Sequence, residues 1–72
     1  MEEKKIVYEI IISIWNLAKE FDFKKLTDDE WERFVNAGIE LRERFVKEGK
    51  DIDLLTRGMF LALQNYYETK ND

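Results

Sequence analysis

Ile6-Val7-Tyr8-Glu9-Ile10-Ile11-Ile12-Ser13-Ile14-Trp15-Asn16-Leu17-Ala18-Lys19-Glu20-Phe21 decides the fold, because it can be read as a strand or as a helix. Its first half is rich in β-branched and aromatic residues, which strands favour. A half-buried strand, however, alternates polar and apolar residues with period two. Here Glu9, Ser13, Asn16 and Glu20 recur at steps of four, three and four, which fits a period of 3.6. The spacing predicts a helix over about 4–21 with one narrow polar stripe. Ile6, Val7, Tyr8, Ile10, Ile11, Ile12, Ile14, Trp15, Leu17, Ala18 and Phe21 fill most of the remaining circumference. A helix apolar over so wide an arc is expected to be buried on more than one side.

The next segment carries the clearest local signal. Thr27 is followed three residues later by Glu30, the capping-box spacing, and Asp28 and Asp29 put negative charge on the first turn. Leu26 before the cap and Trp31 at the fourth helical position have the spacing of a hydrophobic staple. Phe23 is expected to tuck under the same corner. A second helix then spans about 28–48, with Trp31, Phe34, Gly38, Leu41 and Phe45 at steps of three and four and Val35, Ile39 and Val46 widening the stripe. Gly38 in that seam costs about 1 kcal/mol against Ala. Its expected use is close approach of a neighbouring helix or room for a bulky side chain such as Trp15. Lys47 and Gly49 are stop signals.

A third helix is expected over about 52–69, with Asp51 as N-cap and Asp53 in its first turn. Its main stripe reads Ile52, Leu55, Met59, Ala62, Leu63 and Tyr66, with Phe60 and Tyr67 on one edge. Leu54, Gly58 and Leu61 lie nearly opposite. The chain is expected to fray after Thr69 and to be disordered over Lys70, Asn71 and Asp72. With no proline, short connections and three helical patterns, the prediction is one all-α domain over residues 1–72. Its architecture is a compact three-helix bundle, with the first helix the most buried and at its centre.

Composition narrows the chemistry. A domain of 72 residues has a marginal core unless packing is good or something adds stability. There is no Cys and no His, so disulfides, zinc fingers and a Ser–His or Cys–His nucleophile are excluded. Ten aromatics supply the buriable surface instead, each roughly 150–250 Å². Glu40 and Glu43 lie a turn apart, but Arg44 and Lys47 follow each by four residues, the spacing of solvated ion pairs. Asp51 and Asp53 match a calcium loop only in its first two ligand positions, since the required glycine and terminal glutamate do not follow. The three glycines stand singly at 38, 49 and 58, so no phosphate-cradling loop is formed. The expectation is therefore no catalytic residues, no metal, no cofactor and no small-molecule substrate.

The net charge of −4 gives no pull toward nucleic acid or anionic lipid. Acids gather in residues 26–48, where seven face four bases. The mixed-charge start and the interruptions at Glu9 and Ser13 fit neither a signal peptide nor a membrane span, so the expected setting is the cytoplasm. Phe, Tyr, Met, Ile, Asn and Lys make up 29 residues, as AT-rich coding favours in some bacteria and their phages. What remains is excess apolar surface. Tyr8, Ile12 and Trp15 lie along one flank of the first helix, and Leu54 and Leu61 lie opposite the main stripe of the third. These five are the candidate partner surface, for another protein or for a second copy in a homodimer. The alternative is a nucleic-acid-binding regulator of helix-turn-helix type, whose reading helix would need more basic residues than Arg57 and Lys70 supply.

Overall fold

Thr27 starts the best-defined helix. Its Oγ1 accepts from the Glu30 amide at 3.2 Å, and the Glu30 carboxylate accepts from the Thr27 amide at 3.0 Å. The backbone hydrogen bond from Thr27, with help from Lys24 at 3.4 Å, outweighs desolvation and holds the Glu30 carboxyl below its ordinary pKa. In the computed structural model, which describes residues 2–71, α1 spans Glu3–Glu20, α2 spans Asp28–Phe45 and α3 spans Lys50–Asn71. The described residues form no strand, and the helices make the three-helix bundle that the periodicities predict.

The chain measures 38 × 16 × 16 Å, and a 22-residue helix is about 33 Å long at 1.5 Å per residue. The three helices therefore lie side by side along one axis. Two clusters set their directions. Ile6 and Ile10 meet Leu41, Phe45 and Ile52 at one end; Leu17 and Phe21 meet Leu26, Phe34 and Tyr67 at the other. Thus α1 and α3 run parallel, with α2 antiparallel to both. Phe34 anchors the second cluster, with the rings of Trp31, Phe60, Tyr67 and Phe21 centred 5.1–5.5 Å from its own. Such pairs each add about 0.5–1.5 kcal/mol beyond area burial.

Several expectations are corrected. The last turn expected of α2 tightens into a 3₁₀ turn over Val46–Glu48. Gly49 then reverses the chain at φ 122°, so α3 starts at once and Asp51 lies inside it instead of capping it. The Gly49 carbonyl accepts from the Asp53 amide at 3.0 Å, while the Asp51 carboxylate accepts from the Ile52 amide at 3.0 Å. At the other end α3 continues through Lys70 and Asn71, because Asn71 Oδ1 accepts from the Leu26 amide at 3.0 Å and ties the helix to the corner. Asp72 lies outside the described residues.

The expected central place for the first helix gives way to an equal share of the core. α1 buries Ile6, Ile10, Leu17 and Ala18 along one face, much as α2 buries Phe34, Gly38, Leu41 and Phe45. The inward stripe of α3 is also turned from its expected position. Ile52, Thr56 and Tyr67 are buried, Met59, Phe60 and Leu63 are half-buried, and Leu55, Ala62 and Tyr66 are exposed. Thr56 reads as polar in the sequence, yet its hydroxyl donates to the Ile52 carbonyl at 2.8 Å and so is satisfied in the core.

Phe60, not Trp15, fills the space left at Gly38. Its ring sits where a Cβ would stand, so any side chain at position 38 would have to displace it. Phe23 does not tuck under the Leu26–Trp31 corner. It adopts a left-handed φ of 54° beside Asp22 at 61°, is exposed, and sets its ring 6.2 Å from that of Trp15. Its amide donates at 3.1 Å to the Tyr67 hydroxyl, which in turn donates to the Ala18 carbonyl. Burial pushes the Tyr67 pKa up, against the Phe23 hydrogen bond, which lowers it.

Candidate partner surfaces

Two grooves run along α2, one on each side. The α1–α2 groove encloses about 360 Å³. Leu17, Ala37 and Leu41 line its depth, and Ser13, Asn16, Glu20, Glu40 and Arg44 supply its polar walls. The polar stripe that identifies α1 as a helix is thus turned along the α2 side. The α2–α3 groove encloses about 470 Å³ and is apolar. Phe60 lies over Gly38, Val35 and Ile39 line the α2 wall, and Leu54, Gly58 and Leu61 line the α3 wall. Arg42 and Arg57 close one end, sharing the Asp53 carboxylate at 3.2 and 4.0 Å. These exposed pairs are worth little to stability, but they hold both guanidinium groups beside the groove.

The five sequence-selected residues are all open to solvent: Tyr8 63%, Ile12 36%, Trp15 52%, Leu54 55% and Leu61 54%. They make two surfaces. Leu54 and Leu61 belong to the α2–α3 groove. Tyr8, Ile12 and Trp15 run along α1 at helical spacing, and Ile11 joins them there, also exposed. Lys19 reaches over the Trp15 ring at 5.8 Å. Sequence reasoning missed Ile39, placing it in the core stripe of α2. Only the position of α3 shows that it stands at the groove rim.

Among the described residues no three carboxylate side chains gather closely enough to hold a metal ion, and no helix is long and apolar enough to cross a membrane. No family model matches the chain, and neither a curated protein nor a solved structure matches it.

Proposed function

We propose that this protein is a non-enzymatic interaction module that binds protein, either another chain or a copy of itself, through apolar helix faces. One observation carries the reading: the α1 stripe and the α2–α3 groove leave large apolar side chains in contiguous, solvent-facing sets. Soluble monomers rarely expose such patches unless they are used. The helix-turn-helix alternative has less support. In that motif the paired helices cross at roughly 90–120°, whereas here all three helices share one 38 Å axis. The proposed setting is the cytoplasm, a reading that rests on sequence alone.

Light scattering coupled to size exclusion, run over a dilution series, tests the proposal. The expected result is a mass that rises with concentration, or a partner recovered with the chain and lost on Leu54→Asp with Leu61→Asp. The proposal fails if the mass stays monomeric throughout and the double substitution changes neither stability nor any recovered partner.

A further inference from the structure

We infer that the α2–α3 face is the contact surface of a two-fold homodimer in which a second copy packs antiparallel across the groove. The inference rests on the interaction-module reading and names the partner for one of its surfaces. The α2–α3 register is set by Arg42 beside Asp53, Gly38 beside Phe60, and Leu26 beside Asn71. Residues seven apart share a helix face, so the outer stripes can be followed from the groove toward each end. On α2 they are Asp28–Val35–Arg42 and Glu32–Ile39–Val46; on α3 one is Leu54–Leu61–Glu68, with Arg57 and Gln64 beside it.

The face is therefore ordered by charge. Arg42 and Arg57 stand toward one end, with Leu54 and the Asp53 carboxylate that both arginines share, Ile39 and Leu61 lie in the middle, and Asp28, Glu32 and Glu68 stand at the other end. Gln64 Nε2 donates to Glu68 at 3.2 Å and holds that carboxylate along the helix. A two-fold axis perpendicular to the helices, near Ile39 and Leu61, places each apolar middle on its copy. It also sets each arginine end against the acidic end of the other chain. An isologous contact needs this self-complementarity.

Two further observations favour a second copy on this face. Gly58 lies on the groove wall with nothing within 4 Å of the place a Cβ would occupy. Its cost of about 1 kcal/mol against Ala has no return within one chain, but it leaves the backbone open to a close neighbour. The α1 surface, by contrast, fails the charge criterion. Lys5, Ile12 and Lys19 are seven apart, so an antiparallel copy there would set lysine against lysine.

The test uses charge reversal on the full chain. E32K/E68K makes both ends of the face basic, and R42E/R57E makes both acidic. The wild type is expected to dimerise in a salt-sensitive way. Each variant alone is expected to dimerise at least about tenfold more weakly, from like-charge contact, and an equimolar mixture is expected to restore a dimer containing one of each. Circular dichroism verifies that each variant is folded; if R42E/R57E perturbs folding beside Asp53, R42Q/R57Q replaces it and is still expected to weaken the dimer. The inference is overturned if the variants self-associate like the wild type or if the mixture stays monomeric. If wild-type dimers ignore these changes but are broken by Trp15→Asp, this inference fails and the module reading stands. A wild type that is monomeric at every concentration overturns the inference alone, and the module reading then rests on the Leu54/Leu61 test.

Discussion

The two grooves beside α2 differ in their walls: polar groups flank an apolar floor in one, and apolar groups form most of the other. The α1–α2 groove is walled by Ser13, Asn16, Glu20, Glu40 and Arg44, groups that water solvates well. The α2–α3 groove is walled by Val35, Ile39, Leu54 and Leu61 over the Phe60 ring, groups that water does not solvate. The difference bears on α1 most directly. Its one polar stripe borders α2, while Tyr8, Ile11, Ile12 and Trp15 face solvent. Burial within one chain thus leaves apolar surface on both α1 and the α2–α3 face.

The largest test of this contrast is Phe60→Ala, which removes the ring that stacks on Phe34 and fills the space at Gly38. Chemical denaturation is expected to show a loss of about 3 kcal/mol. A loss no greater than that of a surface substitution would mean that the apolar groove is not a packed seam. Gly38→Ala attacks the same contact from the other side. The added methyl meets the Phe60 ring, and overpacking of this kind costs about 1–3 kcal/mol, so the melting temperature should fall.

Gly58→Ala should do the opposite to the isolated chain. With open space at that position, measurement at concentrations low enough to keep the chain monomeric should show a gain of about 1 kcal/mol from helix propensity. A loss there would mean that Gly58 is already packed within the monomer. In the polar-walled groove, Ser13→Ala is expected to change stability by less than about 0.5 kcal/mol, because Ser13 lines an open wall. A larger loss would erase the contrast between the grooves.

The smallest effect concerns the cap of α2, the helix common to both grooves. Glu30 titrates below its ordinary value because it accepts the Thr27 amide. Its folded pKa is lowered, so its contribution is present above the ordinary carboxylate range and is lost as pH falls through the folded value. A Glu30→Gln variant should flatten that part of the acid stability profile. An unchanged profile would mean that the carboxylate contributes nothing measurable at this exposed site.

How much was legible in the sequence depended on the range of each interaction. The helix-versus-strand decision in α1 needed only the spacing of Glu9, Ser13, Asn16 and Glu20. Tyr8, Ile12 and Trp15 stood out because α1 has more apolar circumference than two neighbours easily cover, and Leu54 and Leu61 because they lie opposite the main stripe expected of α3. The inward stripe of α3 was not legible in the same way. Leu55 and Tyr66 are as apolar as the residues that replaced them, and Thr56 is buried because its hydroxyl has a local acceptor. Neither fact can be weighed by hydropathy.

By itself, the sequence determined the three helices, the start of α2 at the Thr27–Glu30 box and the stop signal at Gly49. Each rests on hydrogen bonds or dihedral freedom within a single turn of chain. Tertiary structure alone decided that Phe60 enters the gap at Gly38, that Tyr67 bridges Phe23 and Ala18, and that Asn71 holds Leu26. Those contacts join residues far apart in sequence, and shape, not composition, selects which side chain fills each space. The same packing sets the rotation of α3, and with it the line of Arg42, Ile39, Leu61 and Glu68 along one face.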